Sequence, residues 1–232
     1  MPSIQNGDAT IYYEVYCTGF PILTFAPGGL LSSIEVWSRP SAPLNPTIEF
    51  ASNFQVIAMD QRNAPGSSRA PIRATDNWDT FTSDHIAVLD HLGIEQCHLY
   101  GQCIGGPFIF NLLKRAPERV VAAVIAQPIG RVGELTPGRS ASFAGWVETL
   151  QDHPEATDDV LDAFYLNLYA PGLRTRSTAI SCARARRRAS CSPATTPLTP
   201  SPSPRRSLSS CPTPSSSRNG SRASRSSRRR RA

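Results

Sequence analysis

The sequence predicts an α/β fold: a mostly parallel β-sheet with flanking helices, truncated after a strand at about residues 120–126. The apolar run at residues 21–26 is continuous, as expected of a strand that is covered on both faces of a parallel sheet, and residues 53–60 are predicted to form the next buried strand. Helical spacing of apolar residues follows at residues 80–92 and 107–114. Strands and helices that alternate in this way favour a parallel sheet over an all-β fold.

The remaining elements lie at the two ends of this region. Residues 10–16 are rich in β-branched and aromatic types, which predicts a strand near the edge of the sheet. The helix at 80–92 is expected to begin near Thr82 or Ser83 and to end at Gly93. Residues 143–169 show amphipathic helical spacing, and most of their aromatic side chains are interpreted as core.

A sharp turn is predicted where an apolar run ends in Gly101-Gln102-Cys103-Ile104-Gly105 and passes directly into the helix at 107–114. Glycines flank position 103 because a strained turn leaves no room for a Cβ atom. Gln102, Gly101 and Gly105 are therefore assigned to the support of the turn. The turn directs the Cys103 sulfur out of the sheet at a helix N-terminus, where the helix dipole favours a thiolate. The alternative is an inert buried cysteine in a glycine-rich turn.

These motifs resemble the nucleophile elbow of the α/β-hydrolase superfamily, with cysteine in place of the usual serine, as in dienelactone-hydrolase-like members. Three further segments resemble the family: the Asp-x-Arg turn at residues 60–68, the helix end and strand at 89–98, and the Pro-Glu-Arg-Val turn at 117–120. In the first of them, Asn63 and Pro65 replace two glycines of the family pattern.

The resemblance implies roles for several residues. Cys103 would be the nucleophile, and the backbone amide of Ile104 would form half of the oxyanion hole. The other half would be the amide of Gly29, or that of Leu30, in a loop where Pro27-Gly28 stands for the family's His-Gly; a plain glycine turn is the alternative. Asp60 and Arg62 are expected to be structural, pairing with each other to hold their loop.

Charge and composition divide the chain into three expected regions. Residues 1–130 would form an incomplete hydrolase core, residues 131–176 part of a helical lid, and residues 177–232 a disordered tail. All 18 acidic residues lie before residue 177, whereas the tail holds 13 arginines and no acid. The family's catalytic acid and histidine normally follow the last strands, which are absent here.

Two interpretations of the tail compete. It is either a genuine Arg/Ser-rich segment that binds RNA or another polyanion, or an out-of-frame translation of a GC-rich gene. We favour a frameshift between Tyr169 and Thr178, because a shifted reading can spell a Gly-Asp-Asp strand end followed by an amphipathic helix.

Several classes of site and location are not indicated. The N-terminus has no basic and apolar leader, and no apolar run is long enough to span a membrane. The six cysteines show no paired spacing, so we expect free thiols in a reducing cytoplasm. No histidine–cysteine cluster indicates a metal, and no cofactor is predicted.

The sequence thus favours a hydrolase of an ester, thioester or lactone that works through an acyl-enzyme on Cys103. The partner would be a small-molecule substrate, without specific nucleic acid binding and without a membrane. This chain is expected to be nearly inactive, because the acid and the histidine are missing. The alternatives are a catalytically dead protein that binds a small ligand, and a polyanion-binding protein acting through its tail.

Overall fold

A six-stranded mixed sheet forms the centre of the computed structural model, which describes residues 2–40, 42, 44–129 and 140–169. The strand order is β1-β2-β4-β3-β5-β6. Chain order numbers them β1 Ser3–Asn6, β2 Ala9–Tyr16, β3 Phe20–Phe25, β4 Phe54–Met59, β5 Cys97–Gln102 and β6 Val120–Ala126.

The parallel half of the sheet brings two loops to one edge. Strands β4, β3, β5 and β6 run parallel, whereas β1 and β2 are antiparallel to their neighbours. In the register of β3 and β5, Phe25 is paired with Gly101. The segments that follow these two residues therefore leave the sheet side by side at the carboxyl ends of adjacent strands.

The described ranges contain five helices beside the sheet. They are α1 Pro46–Glu49, α2 Trp78–His91, α3 Gly105–Arg115, α4 Ala141–Val147 and α5 Asp158–Tyr169, with 3₁₀ turns at Gly29–Leu31, Ile34–Ser38 and Pro117–Arg119. Helices α2 and α3 pack on each other and on one face of the sheet, over the main apolar core. The opposite face carries a smaller apolar cluster that includes Trp37, Val56 and Tyr100.

Most predicted elements are confirmed, including the strand near the sheet edge at 10–16, which is β2 and lies second from the edge beside β1. Two elements differ from the prediction. Helix α2 begins earlier than expected, since Asn77 caps it and Thr80 completes a capping box. The helical stretch predicted at 143–169 is two helices, α4 and α5, separated by residues 148–157.

The two C-terminal helices are packed on the rest of the domain by aromatic side chains. Phe143, Trp146 and Phe164 are buried, and the rings of Trp146 and Phe164 stack at 5.3 Å. The indole Nε1 of Trp78 donates a hydrogen bond to the Leu168 carbonyl at 2.9 Å. The prediction that most aromatic residues of this segment are core is confirmed.

The tail at residues 177–232 and the proposed frameshift lie outside the described residues, as do parts of the expected lid. The three-region division therefore stays a prediction. Within the described ranges, no helix is long and apolar enough to cross a membrane.

Strand β6 is the last strand of the described sheet on its side, and its apolar surface is open. Val121 and Val124 are 52% and 59% exposed. Val124 also lines an apolar groove of about 320 Å³ together with Phe54 and Tyr100. The strand consists of valine, alanine and isoleucine, and it has none of the charges or prolines that protect edge strands from pairing with other chains.

We expect Val124→Lys to reduce aggregation, because a lysine on an edge strand disfavours pairing with another chain. Light scattering of the purified chain at matched concentrations measures the effect. Leu166→Lys is the control, since Leu166 is 51% exposed but lies on α5. An equal reduction in both variants would assign the effect to net charge instead of to the strand edge.

Candidate active site

Cys103 lies in a strained turn between β5 and α3. Its φ is +57°, a left-handed conformation that costs a non-glycine residue on the order of 1–3 kcal/mol. The turn is held by hydrogen bonds on both sides: the Cys103 amide donates to the Ala126 carbonyl at 3.0 Å, and the Ile129 amide donates to the Cys103 carbonyl at 3.1 Å. The thiol is free and partly exposed. The backbone thus fixes the place of the sulfur.

Three glycines make room for this turn. A Cβ atom on Gly101 would lie 2.8 Å from the carbonyl carbon of Gly105, and one on Gly105 would lie 2.9 Å from the Phe25 carbonyl oxygen. A Cβ on Gly106 would lie 2.5 Å from the Cβ of Pro128. The sequence pattern had singled out the first two glycines. Gly106 was missed because its constraint comes from the segment after β6, a contact that the local motif does not show.

The loop after β3 begins against the elbow and turns sharply. Gly28 and Gly29 have φ values of +114° and +63°, and a 3₁₀ turn follows. The Ser32 hydroxyl donates to the Ala26 carbonyl at 2.6 Å, and the Ser32 amide donates to the Gly29 carbonyl at 3.2 Å. This buried serine ties the loop back to the strand from which it emerges.

Backbone amides are available at the place where the two loops meet. Within the described residues, no backbone acceptor is bonded to the amides of Gly29, Leu30 or Ile104. Such donors can stabilise an oxyanion only if they are unpaired before the reaction. Because Gly29 and Leu30 are alike in this respect, both remain candidates for the second donor.

Asp60 and Arg62 hold their loop with different partners from those predicted. The Asp60 carboxylate accepts from the amides of Ile34 and Ser67, at 2.8 and 3.0 Å. Arg62 forms a buried two-point ion pair with Asp84 of α2, at 2.7 and 2.8 Å. The predicted Asp60–Arg62 pairing is therefore wrong. The acid on α2 was missed because a single buried Asp leaves no signal in a helical pattern.

Gln102, next to the nucleophile position, is buried, and its Oε1 atom has no hydrogen-bond partner among the described residues. Burial of an amide without a partner costs free energy. The sequence had assigned this side chain to the support of the elbow, and the described contacts do not test that role.

No histidine is hydrogen-bonded to the Cys103 thiol in the described structure. The chain's four histidines all lie within the described residues: His85, His91, His98 and His153. His85 is bonded to Gln61 Oε1 at 2.8 Å, and His153 to Glu155 at 2.9 Å.

His85 is fully buried between the rings of Phe25 and Phe108. Burial, together with the Arg62 charge, lowers the pKa of His85 to about 3. The ring is therefore neutral at physiological pH, and it packs as part of the core.

The structure agrees with the expected free thiols at two of the cysteines that it describes. Cys97 is a buried free thiol, and Cys103 is a partly exposed one. Within the described residues, no group of three His, Cys, Asp or Glu side chains is placed to hold a metal ion.

The elbow, the glycine loop and the parallel strands that carry them match a known family. The family model described as alpha/beta hydrolase fold matches residues 21–199, past the limit of about 176 that we expected. The chain belongs to the alpha/beta hydrolase fold family.

Two curated relatives are each similar to about half of this chain. One is a protein named for carbamate hydrolysis, RutD of Azorhizobium caulinodans, 35% identical over 54% of this chain and 43% of that protein. The other is the carboxylesterase YbfK of Bacillus subtilis, 32% identical over 55% of this chain and 44% of that protein. The match thus spans less than half the length of either relative.

A solved structure extends the likeness in fold. A serine hydrolase from the polyaromatic hydrocarbon-degrading bacterium Cycloclasticus zankles is 22% identical to this chain, with a TM-score of 0.50. The match covers 71% of this chain and 56% of that chain. At this identity the likeness concerns the hydrolase fold alone.

We expect Gly105→Ala to destabilise the fold by about 1–3 kcal/mol, because the new methyl group meets backbone at the end of β3 and overpacks the site. Urea denaturation measures the change. Gly145→Ala is the matched control: a Cβ there meets nothing within 4 Å, so alanine in helix α4 should be neutral or stabilising by about 0.5–1 kcal/mol. Equal losses in both variants would contradict the close fit at the elbow.

The buried His85 should make stability depend on pH. Its pKa is lowered from 6.5 to about 3 in the folded state, so the unfolded state binds more protons between these values. Stability is then complete above about pH 6.5 and is lost as the pH falls, by up to about 1 kcal/mol per pH unit.

In His85→Gln, which removes the titrating ring, the free energy of unfolding should fall less steeply between pH 6 and pH 4. Denaturation at several pH values measures the slope. His91→Gln is the control, because His91 is exposed at the end of the same helix. An unchanged slope in His85→Gln would show that another group dominates the acid sensitivity.

Proposed function

We propose that the chain is a hydrolase-type protein whose Cys103 thiolate attacks an ester, thioester or lactone carbonyl. The observation that carries this proposal is the left-handed backbone of a partly exposed Cys103 between a parallel strand and a helix. A strained conformation of this kind persists only where the surrounding structure enforces it, which is typical of functional turns.

The first step of the proposed reaction forms a bond between the Cys103 sulfur and the carbonyl carbon. The carbonyl π electrons move to the oxygen, and the amides of Ile104 and Gly29 (or Leu30) stabilise the resulting charge. The tetrahedral intermediate then collapses, and the alkoxide or thiolate leaves and takes a proton from water. The product is an acyl thioester on Cys103.

The second step, hydrolysis of this thioester, needs a base that activates water. In the described structure, no histidine is hydrogen-bonded to Cys103. Loss of a triad member commonly costs on the order of 10⁴-fold or more in turnover. We therefore expect the chain to acylate itself and then to release the acyl group only slowly.

The relatives support this class of reaction, since their names refer to a carbamate hydrolase and a carboxylesterase. The proposed substrate is accordingly a small molecule with an acyl group on oxygen or sulfur. The predicted cytoplasmic location stays a proposal.

With p-nitrophenyl acetate, we expect a burst of p-nitrophenol that approaches a single equivalent per chain and then nearly stops. Absorbance follows the burst, and mass spectrometry of the intact chain locates one acetyl group. Cys103→Ala should abolish both signals. Cys97→Ala is the matched control, because Cys97 is buried and its pKa is raised to about 11 by desolvation.

Other outcomes separate the alternatives. Sustained turnover that depends on Cys103 would contradict the loss of the base. Binding of apolar ligands without any adduct on Cys103 would favour the ligand-binding protein. RNA binding that is steeply salt-dependent and requires residues 177–232 would favour the polyanion-binding protein.

A further inference from the structure

Helix α4 brings a hydroxyl group to the loop that carries the proposed oxyanion donors. A Cβ atom placed on Gly29 would lie 3.9 Å from both the Cβ and the Oγ of Ser142. Ser142 is exposed, and its hydroxyl lies 3.2 Å from that of Ser140, the cap of the helix. The Ser142 hydroxyl is therefore beside the Gly29 backbone and open to a molecule bound there.

The position of this hydroxyl is fixed by its neighbours in α4. Phe143 and Trp146 are each 1% exposed, so the first turns of the helix are anchored in the core. The indole Nε1 of Trp146 donates to the Asn63 carbonyl at 2.9 Å, which ties α4 to the loop after β4. A side chain on so well anchored a helix can recognise a substrate with little loss of conformational entropy.

Helix α5 ends in a second hydroxyl group, that of Tyr169. Tyr169 packs against the rings of Trp78 and Tyr165, at 6.2 and 4.9 Å. Burial raises the pKa of Tyr169, and electrostatic interactions with Tyr165 and Cys103 raise it further, so the phenol stays protonated. The hydroxyl near Gly29 is thus that of Ser142 on α4, whereas Tyr169 packs in the aromatic cluster of Trp78 and Tyr165.

We propose that Ser142 determines substrate specificity by hydrogen-bonding an oxygen atom next to the scissile carbonyl. The substrate class would be esters or lactones whose acyl group carries a hydroxyl, alkoxy or oxo group on the carbon beside the carbonyl. This inference rests on the proposed function, because Gly29 and Ser142 border the same site. Apolar side chains accept any apolar acyl group, whereas a hydroxyl group distinguishes acyl groups that carry an oxygen atom from those that do not.

The test compares acylation of Cys103 by p-nitrophenyl methoxyacetate and by p-nitrophenyl acetate in the full chain. Each rate is divided by the rate of the same ester with a free thiol, which removes the difference in intrinsic reactivity. Ser142→Ala should lower the preference for methoxyacetate about 3–10-fold, the effect of one net hydrogen bond. Ser142→Thr, which keeps the hydroxyl, should retain the preference.

The outcomes separate this inference from the proposed function. If neither ester acylates Cys103, the proposed function is wrong and the inference falls with it. If Cys103 is acylated but the preference is the same in Ser142→Ala, the function stands and the inference is overturned. Equal slowing of both esters in Ser142→Ala also overturns it, since that result indicates a structural role.

Discussion

The close approach of backbone to backbone under Cys103 is the constraint on which the site depends. The elbow fits between the end of β3 and the segment after β6 only because Gly105 and Gly106 lack side chains. The same contact brings the loop after β3 against the turn that carries the thiol. The Cys103 thiol, the N-terminus of α3 and a second loop are thereby brought together by the backbone alone, and in the described residues the amides of Gly29 and Leu30 in that loop have no backbone acceptor.

Buried polar contacts hold the loops around the elbow, in addition to apolar packing of residues such as Leu30 and Trp37. Ser32 ties the loop after β3 to its own strand, and Asp60 accepts the amide of Ile34 farther along that loop. The Arg62–Asp84 ion pair is 6% and 1% exposed, so removal of one partner would leave a buried charge. Loops at carboxyl ends of strands carry function only when a scaffold fixes them, and here the scaffold is this set of hydrogen bonds.

Local patterns predicted much of this arrangement. Strands, the elbow and the flanking glycines follow from apolar runs and from the requirement for a residue without Cβ, which are properties of neighbouring residues. Contacts distant in sequence were not predictable in this way. The partner of Arg62 lies 22 residues away on a helix, and Gly106 is constrained by Pro128.

The ion pair between Arg62 and Asp84 connects the loop after β4 to a further element of the sheet. Asp84 accepts a third hydrogen bond, at 2.8 Å, from the side-chain amide of Asn6 at the end of β1. The outermost strand of the sheet, helix α2 and the loop after β4 therefore share one carboxylate, and Trp146 joins that loop to α4 through Asn63. The amino-terminal strand is in this way connected to helix α4. A fusion partner or a short deletion at the first residues would be transmitted through Asp84 and the loop after β4 to the helix that carries Ser142 beside Gly29.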